Sequence, residues 1–68
     1  MDKDASRVKT ILAIDDDPDI RATLRIFLEA EGFSVGEAAT GEEGLKTAER
    51  IKPDAIIVDL MMENVDSD

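Results

Sequence analysis

Two short runs of consecutive apolar residues constrain this chain more than any other feature. They are Ile11-Leu12-Ala13-Ile14 and Ala55-Ile56-Ile57-Val58, and an aspartate follows each. Runs that are apolar without alternation suit strands buried on both faces, as in a parallel sheet. They predict strands over 9–15 and 54–60. Asp15-Asp16-Asp17-Pro18 has the form of a helix start, with Asp17 as N-cap and Pro18 at the first helical position. Ile20, Leu24, Phe27 and Leu28 follow as one apolar stripe, and Gly32 fits a left-handed C-terminal cap. Residues 33–39 read as a weaker strand with Phe33, Val35 and Ala38 turned inward. Thr40 and Glu43 match a capping box, Leu45, Ala48 and Ile51 form a second stripe, and Pro53 closes that helix. Gly44 inside it costs about 1 kcal/mol relative to Ala.

The order is βαβαβ, which implies an α/β fold with parallel strands and right-handed crossovers. If the chain reverses direction after the second strand, the spatial order is 2-1-3, with the first strand central. The carboxyl ends of strands one and three are then neighbours, and Asp15 and Asp16 lie beside Asp59. Residues 1–8 read as a flexible leader without periodicity, and residues 9–68 as the folded part. The tail from Met61 to Asp68 has no basic residue and no clear period.

Composition removes most other chemistries. Sixty-eight residues make at most one small domain, and a chain this short buries only about 60% of its unfolded surface. No Cys and no His are present, so disulfides, Cys-based zinc sites and Ser–His pairs are excluded. A net charge of −9 argues against direct nucleic-acid binding, and Phe27 and Phe33 are too few for a base-stacking surface. No apolar run approaches a membrane span and no signal-peptide pattern opens the chain, so the expected location is cytoplasmic. What remains is carboxylate chemistry. Three acids at one sheet edge repel one another unless a cation sits between them, and Mg²⁺ suits such a set. A carboxylate can also attack phosphorus and form an acyl phosphate. Helix capping in a solvated turn accounts equally well for any one of Asp15, Asp16, Asp17 and Asp19 taken alone.

The segment Ile11-Leu12-Ala13-Ile14-Asp15-Asp16-Asp17-Pro18, followed by Asp54-Ala55-Ile56-Ile57-Val58-Asp59-Leu60-Met61-Met62, closely resembles the receiver domain of two-component response regulators. Gly32-Phe33 and Ala39-Thr40-Gly41-Glu42-Glu43-Gly44-Leu45 are similar to that family as well. The resemblance implies a flavodoxin-like parallel sheet, present in part and ending before the third helix. It implies that Asp59 is the phosphoacceptor, charged by a sensor histidine kinase or a histidine phosphotransfer protein. Asp16 would then be a direct Mg²⁺ ligand and Asp15 would act through a metal-bound water. Asp59 and the backbone carbonyl of Met61 would complete the protein ligands. Asp17 keeps a capping role, and Asp54 and Asp66 are not site residues. The module is expected to be a signalling phosphoprotein, not an enzyme.

Departures from the family pattern qualify this reading. Glu63-Asn64 stands where receivers usually carry Pro-Gly, and Ser67 where a Gly is usual. The family's Ser or Thr after the fourth strand, aromatic on the fifth strand and Lys after the fifth strand have no matching positions here. A third strand with an unpaired apolar edge is a pairing site. With an ordering cost of roughly 1.5 kcal/mol per residue, half a core leaves little margin. The expectation is self-association, exchange of elements between chains, or completion by a C-terminal segment along that edge. The competing reading is therefore a non-phosphorylated structural or interaction fragment that assembles through the third strand. A phosphohydrolase with Asp59 as nucleophile ranks third, because Met61 occupies the position where such enzymes typically place a second Asp.

Overall fold

The computed structural model describes residues 8–59. The expectations for residues 1–7 and for Met61, Glu63, Asn64, Asp66 and Ser67 lie outside the described residues. The elements are β1 (Thr10–Ile14), α1 (Pro18–Ala30), β2 (Ser34–Ala38), α2 (Gly41–Ile51) and β3 (Ala55–Val58). The strands form one parallel sheet in the order β2-β1-β3. This is the expected flavodoxin-like arrangement in part.

Local chemistry sets the element ends. Asp17 caps α1, its carboxylate accepting the N–H groups of Asp19 and Ile20 at 2.9 and 3.4 Å. At the other end Gly32 takes φ +98°, which a side chain would disfavour. The Gly32 and Phe33 N–H groups then donate to the Glu29 and Leu28 carbonyls, a Schellman closure. That bond places Phe33 in the cap, so β2 begins at Ser34 and not at residue 33. Thr40 caps α2 by accepting from the Glu43 N–H at 3.1 Å. The Glu43 carboxylate reaches back to the Ala39 N–H at 2.8 Å, one residue earlier than the usual capping-box partner.

The core sits around β1, whose residues Ile11–Ile14 are all buried. Leu12 and Ile14 cluster with Ala38 on one face, where Ala48 and Ile51 of α2 pack against them. Alternation along the strands puts Glu37 on the opposite face, where Arg21 and Arg25 of α1 reach it. Each helix lies over β1 and β2, and among the described residues neither packs on β3.

Both expected helix stripes need correction. Leu24 and Leu28 are half-buried, but Ile20 and Phe27 are exposed, Phe27 by 65%. Arg21 and Arg25 of α1 reach Glu37 on the sheet, and Ile20 and Phe27 lie on a flank of the helix that stays exposed. In α2, Ala48 and Ile51 face the sheet as expected, but Leu45 is 70% exposed and Gly44 is buried in its place. A Cβ on Gly44 would collide with the Ile14 side chain. The Ile14 side chain fills the space a Cβ would take, so a larger residue here requires that side chain to shift. Gly44 is thus a packing requirement as well as a helix weakener.

The third strand also departs from expectation. Its apolar run suggested burial on both faces, yet Ile56, Ile57 and Val58 are 49%, 38% and 46% exposed. Only β1 pairs with it among the described residues, so its outer edge is open, as the strand order implies. Asp54 anchors its start to β1: its N–H donates to the Thr10 carbonyl and its carboxylate accepts the Thr10 N–H at 2.8 Å.

Candidate functional site

The carboxyl end of β1 is tied on both sides. The Asp15 N–H donates to the Ala38 carbonyl of β2 at 3.1 Å, and the Asp59 N–H donates to the Ile14 carbonyl at 3.0 Å. These bonds continue the ladders one residue past the strands and bring the acids that follow them together. Oxygen atoms of Asp15, Asp16 and Asp59 all lie within 4.8 Å of one another. Asp15 is buried, Asp16 exposed and Asp59 half-buried.

Asp15 is held at every polar atom of its backbone and at its side chain. Its Oδ1 accepts the Asp17 N–H at 2.9 Å, and its carbonyl accepts from Arg21 Nη1 at 2.8 Å. Asp17 points its own carboxylate into the helix cap and stays out of the cluster, which agrees with its expected role. Met61, expected to contribute a carbonyl, lies outside the described residues.

Like charges about 4 Å apart repel by roughly 1 kcal/mol per pair in bulk water and by more where solvent is partly excluded. Among the described residues no Lys or Arg side chain forms an ion pair with Asp15 or Asp16; both nearby guanidiniums pair with Glu37. The donor set is all oxygen and strongly anionic, which fits a hard divalent cation. Oxygens that all lie within 4.8 Å of one another are close enough for one small cation to sit among them.

Sequence reasoning brought out the three acids but missed Arg21 and Glu37. A signal was available. Arg21 and Arg25 are spaced i, i+4 on α1, and Glu37 is the one acid within the second strand. The sequence marks Asp54 only as an acid opening the third strand, and its side-chain bond to the Thr10 N–H gives it a firmer structural part.

A parallel α/β sheet with three carboxylates gathered at the carboxyl ends of two adjacent strands defines an acidic-site α/β domain able to hold a cation. The family model for the response regulator receiver domain matches residues 11–67. The chain belongs to the response regulator receiver family of two-component systems. It is 45% identical over 58 residues to the alkaline phosphatase synthesis transcriptional regulatory protein PhoP of Bacillus subtilis, covering 85% of this chain and 24% of that protein. It is 40% identical over 57 residues to the transcriptional regulatory protein AfsQ1 of Streptomyces coelicolor, covering 84% of this chain and 25% of that protein. With the transcriptional regulatory protein GlrR of Escherichia coli it shares 43% identity over 56 residues, 82% of this chain and 13% of that protein. The chain therefore spans about a quarter of the length of the first two relatives. Among the described residues no helix is long and apolar enough to cross a membrane.

Proposed function

We propose that this chain is the phosphoacceptor module of a His-Asp phosphorelay, with Asp59 as the residue phosphorylated. The observation that carries this reading is the approach of Asp15, Asp16 and Asp59 oxygens to within 4.8 Å. An Asp59 carboxylate oxygen attacks the phosphorus of a phosphohistidine. The P–N bond breaks as the P–O bond forms, the imidazole takes up a proton, and Asp59 becomes an acyl phosphate. The donor is a sensor histidine kinase or a histidine phosphotransfer protein.

Asp16 and Asp59 would hold Mg²⁺ directly, Asp15 would hold it through water, and the Met61 carbonyl would complete the protein ligands. When bound there, the ion would supply positive charge against the negative charge of the carboxylates and the incoming phosphoryl group. Residues 9–68 form the receiver portion, preceded by a leader over 1–8, and the setting is cytoplasmic. The relatives are named as transcriptional regulatory proteins, so a transcriptional output is the corresponding proposal for the whole protein. The test is incubation with acetyl phosphate and Mg²⁺, followed by intact-mass measurement. One added phosphoryl group is expected, absent from Asp59→Ala.

A second reading is favoured by the exposure of Ile56, Ile57 and Val58 beside an open strand edge. In it the chain serves as an assembly module that pairs through β3 and is not phosphorylated. A folded protein that associates through β3 yet takes no phosphoryl group from acetyl phosphate would establish it.

A further inference from the structure

Arg21 makes two bonds that its place on an exposed helix does not require. Nη1 donates to the Asp15 backbone carbonyl at 2.8 Å, and Nε donates to Glu37 Oε1 at 3.1 Å. Glu37 Oε2 accepts from Arg25 Nη1 at 3.0 Å, which holds the carboxylate from its other side. The Arg21 and Glu37 side chains are 19% and 27% exposed, so this pair is better shielded from water than an ordinary surface ion pair. The planar guanidinium fork spans both acceptors at once, which a single ammonium on Lys would not.

The carbonyl that Arg21 grips belongs to the peptide joining Asp15 to Asp16. Because a peptide unit is planar, fixing the direction of that C=O also fixes the direction in which the chain enters Asp16. Asp15 is otherwise anchored by its N–H to Ala38 and its carboxylate to the Asp17 N–H. Its carbonyl, gripped by Arg21, is the last polar group of its backbone.

We propose that Arg21, braced by Glu37, is a positioning residue for the acidic site, setting the Asp15–Asp16 peptide and thereby the affinity for a divalent cation. The inference rests on the metal-site reading given above. Its sign separates positioning from simple electrostatics. A positive charge close to the site opposes cation binding, so if Arg21 acted only through its charge, removing it would tighten Mg²⁺ binding. As a positioning residue its removal weakens binding.

The experiment titrates Mg²⁺ calorimetrically into the wild-type protein and the Arg21→Lys, Arg21→Met and Glu37→Gln variants. It also follows amide hydrogen exchange at Asp17 and Leu12 without metal. Loss of an outer partner of this kind lowers metal affinity by about tenfold or more, and that is expected for Arg21→Lys and Arg21→Met alike. Glu37→Gln is expected to weaken binding in the same direction but less. The Asp17 amide should exchange faster in the Arg21 variants while Leu12, in the core of β1, stays protected. Unchanged or tighter Mg²⁺ binding in Arg21→Met overturns the inference. So does weakening accompanied by an equal loss of protection at Leu12, which marks general destabilisation. Wild-type protein that binds no Mg²⁺ overturns the metal-site reading itself, and this inference with it. Binding by wild type that the variants match overturns only the role of Arg21.

Discussion

The Asp59 N–H donates to the carbonyl of Ile14 at 3.0 Å, one step beyond the last register pair, Ile14 with Val58. That bond carries the β1–β3 ladder past the end of both strands and sets Asp59 beside Asp15. In a pleated sheet these two side chains emerge on the same face. The acidic cluster is therefore a consequence of strand register, and only Asp16 depends on the loop for its place.

Asp16→Asn is expected to weaken Mg²⁺ binding by more than tenfold while leaving the fold intact, because Asp16 is exposed and caps nothing. Metal bound only by the native state raises stability by roughly 1.4 kcal/mol at ten times Kd. Urea denaturation with and without Mg²⁺ should show that increment in the wild type and its loss in Asp16→Asn.

Gly44→Ala gains about 1 kcal/mol of helix propensity, yet it is expected to destabilise the protein. The added Cβ meets the Ile14 side chain, and overpacking of this kind costs about 1–3 kcal/mol. Combining it with Ile14→Val, which removes the Cδ1 atom in the way, should recover part of the loss. Denaturant midpoints of the two single variants and the double variant test the coupling.

Asp17→Ala removes the N-cap of α1 and should cost about 1 kcal/mol in chemical denaturation. Its effect on Mg²⁺ affinity should be small, since the Asp17 carboxylate lies outside the cluster and its backbone N–H still bonds Asp15. A loss of affinity as large as that of Asp16→Asn would contradict the separation of capping from metal binding.

Ile57→Lys places a charge on the open third strand at a position 38% exposed. Edge charges oppose strand pairing, so sedimentation at micromolar to millimolar concentration should show less association than the wild type. Equal association would place the contact elsewhere.

Much of this structure is legible in the sequence because short-range rules govern it. The caps at Asp17, Thr40 and Gly32 follow from the preferences of those residue types at helix ends, and the parallel sheet follows from the βαβαβ alternation, with the order 2-1-3 once the chain reverses direction after β2. The meeting of Asp15 and Asp59 follows from that order, while Asp16 takes its place from the loop. What the sequence hides is the rotation of each helix about its axis. In α1, Arg21 and Arg25 reach Glu37 on the sheet while Ile20 and Phe27 of the expected stripe stay exposed. In α2 a glycine, which no hydropathy pattern marks as core, faces Ile14 while Leu45 points outward. The run Ala55–Val58 reads as a buried strand, and its exposure depends on what lies beside the sheet, which no local pattern encodes.

The most direct test of the central claim is peptide mapping by mass spectrometry after exposure to acetyl phosphate. The account predicts a single phosphoryl group on the peptide containing Asp59, dependent on Mg²⁺, abolished by a chelator and absent from Asp59→Asn. A folded protein that binds Mg²⁺ but remains unmodified, or that carries the label elsewhere and keeps it in Asp59→Asn, would contradict the account.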